Sequence, residues 1–355
     1  MYRAALGGSR QHGSRRLGGR FGVWAGLYGC LLGSVACSFN LPARSVCDSG
    51  SCTGTDIGSK ADLAPDPADP NLMGSYKFAT APITLAQQPA LLSGQLYLPS
   101  DDSVVLSGRS AKYPLVLLAP AHYLDPQQLI PYAQRLASHG IVVALWRPTN
   151  ESDQVGYRAA GLNLLSYLLN NSEPVVANRL DGAHVGLAGY DLGAEISVSM
   201  AAQTPTVRGL FLIDPVVVAA LQNPVDGLAD MAQVNLAGAQ KPVMLGQQTS
   251  KRGMSGAPPC TDATTNYEQF YTRSPAGTLA FNFISAAHAD FVDVYPDTVC
   301  GGGTMAKAET QRLAIKYMTA YFQLTLLERT AAQAYLTGGG FDADAKQYTL
   351  TRTQK

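Results

Sequence analysis

The five residues Gly189-Tyr190-Asp191-Leu192-Gly193 set an acid at the centre of a glycine-bounded turn, between the apolar run Val185–Ala188 and a segment of helical character. A side chain on so sharp a strand-to-helix turn is lifted clear of its neighbours and can attack a bound molecule. Asp214 follows the apolar stretch "GLFLI", His288 follows "LAFNFISAA", and His122 follows "LVLLAPA". A histidine oriented by an acid can take a proton from water or a hydroxyl, and an elbow carboxylate can form a covalent bond to carbon. Each residue also has an ordinary use: Asp214 before Pro215 suits a turn, and a histidine after a strand can cap a loop.

These residues must be positioned by the segments that precede them. "YPLVLLAP", "IVVALW", "GLFLIDP", "KPVMLG" and "TLAFNFIS" are short, continuous apolar runs of the kind found in strands covered on both faces, and "GQLYLP" alternates as an earlier strand. Between them, "DPQQLIPYAQRLASHG", the stretch 155–169, the segment behind Asp191 and "AKAETQRLAIKYMTAYFQLTLLERT" have helical spacing. The alternation predicts a mostly parallel α/β sheet with helices on both faces, in which residues at strand ends share one crevice.

The whole chain has 355 residues, of which 46% are apolar and 15% charged, so it can bury a large core. With 26 basic and 26 acidic residues it has no net field to attract nucleic acid, which is excluded as a partner. Arg10, Arg15, Arg16 and Arg20 precede the apolar run "FGVWAGLYGCLLGSVA", too short and glycine-rich for a membrane span; residues 1–36 read as an export signal. Small residues before Cys37 make it the expected lipid anchor of a bacterial lipoprotein at the periplasm or cell surface, with simple secretion as the alternative.

Residues 37–74, rich in Pro, Asp, Ser and Gly, read as a tether; 75–337 form the expected domain, and 338–355 a polar, peripheral tail. Cys47, Cys52, Cys260 and Cys300 remain as an even set for two disulfides, the simplest pairing being Cys47 with Cys52 and Cys260 with Cys300. No Cys or His spacing suits zinc, and no metal or cofactor is expected.

"SHGIVVAL", "GLFLIDPV", "PPCTDATTNYEQFY" and "AHADFVD" resemble the corresponding stretches of chlorophyllases and related bacterial lipase and cutinase-like enzymes, over about Gly94 to Tyr321. The resemblance implies an α/β-hydrolase fold without a large cap, a small-molecule or lipid-like ester as substrate, Asp214 as the acid and His288 as the base. Asp290 and Asp293 match further acidic positions of that family. Asp191 stands where the family has its serine nucleophile, and Ala121-His122 replaces a Gly-aromatic pair at the oxyanion loop. His122, Tyr190 and Leu192 are therefore expected as oxyanion or pocket residues, and Ser197 and Ser199 lie too far along the helix to replace the serine.

Three functions follow from Asp191-Asp214-His288. One is unconventional carboxylic-ester hydrolysis, implied by the resemblance; a second is ligand binding without catalysis. The third is attack by Asp191 on a saturated carbon, as in an epoxide or haloalkane, because a carboxylate that adds to an ester carbonyl forms an adduct that collapses back to substrate.

Overall fold

The computed structural model describes residues 69–83, 92–100, 106, 112–218, 221–247, 261, 263–295, 300 and 303–355, all within the second of the chain's two compact units, 60–355. The expected export signal, Cys37, Cys47, Cys52 and Cys260 lie outside the described residues.

The strands are β1 (Lys77–Pro82), β2 (Leu92–Ser100), β3 (Tyr113–Ala119), β4 (Val142–Pro148), β5 (Leu180–Tyr190), β6 (Val207–Ile213), β7 (Val243–Gln247), β8 (Leu279–Phe283) and β9 (Leu350–Gln354). They form one sheet in the order β1-β2-β4-β3-β5-β6-β7-β8-β9. Pairing from β4 across to β8 is parallel, whereas β1, β2 and β9 run antiparallel to their neighbours. The expected α/β-hydrolase fold is the one observed.

Alternation within each strand divides the core in two. Leu115 and Leu117 of β3 and Val185 and Leu187 of β5 face one cluster, with Tyr157, Leu164, Ile196, Met231 and Phe270. Val116, Leu118, Ala188 and Tyr190 face the other, with Tyr132, Leu136, Tyr317 and Phe322. The helices that supply those residues are α2 (Gln154–Leu169), α3 (Leu192–Gln203), α4 (Gly227–Gln233) and α5 (Tyr267–Arg273) on the first face. On the second lie α1 (Ile130–Ser138) and α6 (Lys307–Thr325). Because β3 lies between β4 and β5, its connection to β4 crosses one face and the connection from β4 to β5 crosses the other. That reversal opens a crevice at the carboxyl ends of β3 and β5, where Asp191 stands.

Two boundaries differ from the sequence expectation. Residues 69–74, assigned to the tether, are held to the domain. Gly74 N–H donates to Ser138 Oγ at 2.9 Å, Arg135 reaches Pro70 O at 3.1 Å and Arg312 reaches Asn71 Oδ1 at 2.9 Å. Polar bonds to backbone carry no apolar periodicity, so the sequence pattern misses them. Residues 338–355, assigned to a tail, follow the short helix α7 (Gln333–Thr337) and form α8 (Gly339–Tyr348) and the edge strand β9, paired with β8 from Leu279↔Gln354 to Phe283↔Leu350. Asp344 of α8 accepts from Lys316 Nζ and from Tyr317 Oη, each at 2.9 Å.

Lys316 and Asp344 are both buried, so removing one partner strands the charge of the other. Asp344→Ala is expected to lower unfolding free energy by about 3–5 kcal/mol, measured by urea denaturation; a change within error of zero would show that the C-terminal helix is not anchored through this pair.

Candidate active site

The elbow is built by close backbone approach. Asp191 has φ 55° and ψ −120°, in the positive-φ range that Asp tolerates better than most side chains. Its N–H donates to Ile213 O at 3.0 Å, and its own carbonyl accepts from Ala194 N–H at 3.0 Å, joining β6 to the start of α3. The flanking glycines are required by space. A Cβ on Gly189 would lie 2.1 Å from Gly193 O, and one on Gly193 would lie 2.3 Å from Ala119 O.

Asp214 ends β6 and His288 opens a short 3-10 turn after β8. The two meet at 2.6 Å between Oδ2 and Nδ1. With Asp214 ionised, Nδ1 donates and Nε2 keeps a lone pair, which faces Asp191 Oδ1 at 3.8 Å. The imidazole is fixed from several sides: Tyr190 Oη donates to His288 O at 2.6 Å, its ring stacks on the histidine at 5.0 Å, and Asp290 Oδ2 accepts from Ala287 N–H at 2.7 Å. Ala289 N–H donates to Cys300 O at 3.0 Å, and Cys300 is disulfide-bonded, its expected partner Cys260 lying outside the described residues. Asp293 is exposed; its backbone carbonyl accepts from Lys307.

Asp191, Asp214 and His288 are 6%, 1% and 1% exposed, so the three act on one another through little water. Burial pushes the Asp191 carboxyl above the ordinary carboxylate range, and Asp214 adds to this; His288 and the backbone N–H groups of Leu192 and His122 favour the charged form. Leu192 and Tyr190 are buried, while the His122 ring lies on Tyr123 at a centroid distance of 3.7 Å. Ser197 Oγ is committed to Gly193 O and Ala188 O, and Ser199 Oγ to Asp230. Among the described residues there is no His, Cys, Asp and Glu cluster for a metal.

Three further residues belong to the site. Gln247, ending β7, donates from Nε2 to Asp214 Oδ2 at 2.8 Å. Tyr295 Oη lies 3.2 Å from His288 Nε2 and 3.5 Å from Asp191 Oδ2. Its only sequence signal is proximity to His288 in "HADFVDVY". Glu195 lies one turn along α3, fully buried, accepting from Val218 N–H at 3.2 Å.

No family model matches the chain. Its sequence is similar to cutinases: 25% identical over 123 residues to cutinase est2 of Thermobifida alba, covering 34% of this chain and 38% of the relative. It is 25% identical over 123 residues to cutinase cut1 of Thermobifida fusca, covering 34% and 36%. To cutinase 1 of Thermobifida cellulosilytica it is 23% identical over 158 residues, covering 43% and 57%. The alignments thus span between about a third and somewhat over half of the relatives' length.

Burial pushes Glu195 from 4.5 to about 8, the charge of Asp191 adding to the effect. A raised folded-state pKa gives stability that is complete below the unfolded value and is lost as pH climbs through the folded one. Thermal melts should therefore show stability falling between about pH 4.5 and pH 8, and Glu195→Gln, whose amide oxygen still accepts from Val218, should flatten that fall. Equal slopes in both proteins would refute the buried, protonated Glu195.

Proposed function

We propose that this protein is a hydrolase whose central step is ester hydrolysis, and that the ester is formed on Asp191 itself. The observation that supports the reading is geometric: Asp191 stands on the elbow with Oδ1 3.8 Å from Nε2 of His288, whose Nδ1 Asp214 holds at 2.6 Å, and the Leu192 and His122 N–H groups act as further donors that favour its charged form. A carboxylate held there attacks a saturated carbon, and the resulting alkyl ester already has its carbonyl group beside the two donors. His288, held by Asp214, removes a proton from water as that water adds to Asp191 Cγ. The adduct collapses, the alkoxide leaves with the proton from His288, and the carboxyl group is regenerated. A direct acyl substrate suits the site less well, because its carbonyl would need the donors that Asp191 engages.

Similarity to cutinases favours a second reading, in which His288 activates water directly against a carboxylic ester and Asp191 acts only through its charge. Export fits either reading: a disulfide at Cys300 belongs to an oxidising compartment, and Cys37 after the apolar N-terminal run is the proposed lipid attachment.

Turnover in heavy-oxygen water separates the two. With short-chain nitrophenyl esters, terminal epoxides and primary alkyl bromides as a panel, the proposed route puts label into the peptide bearing Asp191, and His288→Gln stalls with an alkyl group on that residue. Ester turnover with an unlabelled Asp191 would support the second reading instead. No turnover and no adduct with any of them would leave a binding protein.

Asp191→Ser offers an independent check. A hydroxyl in place of the carboxylate leaves the two amides to an incoming carbonyl and puts an activatable oxygen near His288. Short-chain ester hydrolysis should appear in this variant and vanish in Asp191→Ser with His288→Ala; a folded serine variant without such activity would show that the Leu192 and His122 amides do not form a working oxyanion site.

A further inference from the structure

One more functional group stands beside Asp191 and His288, the hydroxyl of Tyr295. It stands 3.2 Å from His288 Nε2 and 3.5 Å from Asp191 Oδ2. The ring is held edge-on to His288 at 5.1 Å and edge-on to Tyr190 at 5.9 Å, so the hydroxyl is aimed by two aromatic contacts. Tyr190 is itself tied to the His288 backbone, which makes the tyrosine, the histidine and the elbow one assembly.

Resting on the reading of Asp191 as the attacking group, we propose that Tyr295 is the proton donor to the leaving oxygen, and that the substrate class is therefore a strained cyclic ether, an epoxide. A carboxylate opening an epoxide expels an alkoxide that remains attached to the substrate, a poor leaving group unless protonated as it forms. A halide leaves as a stable anion and needs N–H donors around it, whereas the residue beside Asp191 is Leu192, apolar and buried. A phenol near the nucleophile thus supplies the proton that the first electrophile requires and the second does not.

The steps balance. Asp191 Oδ2 bonds to a ring carbon as the carbon–oxygen bond of the ring breaks, and the released oxygen takes the Tyr295 proton, leaving a hydroxyalkyl ester and a phenolate. Water adds to Asp191 Cγ as His288 Nε2 accepts its proton, and the tetrahedral adduct expels the alkoxide, which takes that proton back from the imidazolium. The product is a vicinal diol. The carboxyl group left on Asp191 carries the proton of the water-derived hydroxyl and returns it to the Tyr295 phenolate, its neighbour in the resting site, which restores both groups. Net consumption is one epoxide and one water, with no oxidant, metal or cofactor.

The test measures alkylation of Asp191 by mass spectrometry in full-length protein carrying His288→Gln, using styrene oxide and phenethyl bromide separately. With Tyr295 intact, both probes should add to Asp191. With Tyr295→Phe added, the ratio of the styrene oxide rate to the bromide rate should fall by about 100-fold or more, the range expected when a positioned acid is removed. An unchanged ratio overturns Tyr295 as the donor while the Asp191 nucleophile stands. Addition of the bromide alone, with Tyr295 present, overturns the epoxide assignment and leaves the covalent route intact. Addition of neither probe overturns both. In protein with native His288, formation of the diol with label in Asp191 would complete the support.

Discussion

Much of the site turns on the Asp191 carboxyl group, shut in at 6% exposure. An ionised carboxylate taken out of water costs several kcal/mol unless charges and hydrogen-bond donors replace the solvent. Burial therefore raises Asp191 toward its neutral form, and what favours the charged form is the imidazole at 3.8 Å once it is protonated, the N–H groups of Leu192 and His122, and the positive end of the twelve-residue helix that begins behind it. Much of the local architecture serves those contacts. Gly189 and Gly193 let the helix start press against β3, Asp214 and Gln247 fix the imidazole, and Tyr190 and Asp290 hold the backbone on either side of His288.

The inventory of charge in this small volume explains why Glu195 is pushed toward its neutral form. Asp191, Asp214 and Glu195 are three buried acids with one imidazole among them. Two carboxylates flank His288, and a third negative charge one helical turn away would have no cation to meet it. Burial, reinforced by the Asp191 charge, raises Glu195 instead, and its oxygen serves as an acceptor for the Val218 amide. The result is a site in which the charge that varies during a reaction is confined to Asp191, His288 and the groups that touch them.

What was legible in the sequence follows the range of the forces involved. Buried parallel strands are continuous apolar runs, so the order of strands from β2 to β8 and the helices α1, α2, α3 and α6 could be read directly, whereas the short helices α4 and α5 were not; the glycines around Asp191 marked the elbow. Asp214 and His288 were found because strand ends share a crevice, and the structure brings them to 2.6 Å. Residues held by polar contacts across the fold left no such pattern. Gln247 ends its strand as an ordinary amide, and Tyr295 is one aromatic in a mixed stretch; only the path of the chain after His288 returns its hydroxyl to Asp191. The N-terminal docking through Arg135 and Arg312 and the final strand β9 were missed for the same reason: edge strands and side-chain bonds to backbone need little hydrophobic periodicity.

Similarity to cutinases and an aspartate on the elbow are compatible once the elbow is separated from the atom it presents. In the proposed reading, the strained turn, the histidine, its acid and the two amides would act on an ester whose carbonyl lies above the elbow, and they do not specify where that ester comes from. A serine hydroxyl acquires its acyl group from the substrate. A carboxylate already contains the carbonyl carbon, so it needs only an alkyl group to become the ester that the same histidine and amides can hydrolyse. Against an acyl substrate it would form an anhydride adduct in which carboxylate is the better leaving group, returning the starting ester. On the proposed route, a carboxylate in place of a hydroxyl therefore keeps the hydrolytic half of the cycle and moves the electrophile from an acyl carbon to a saturated one.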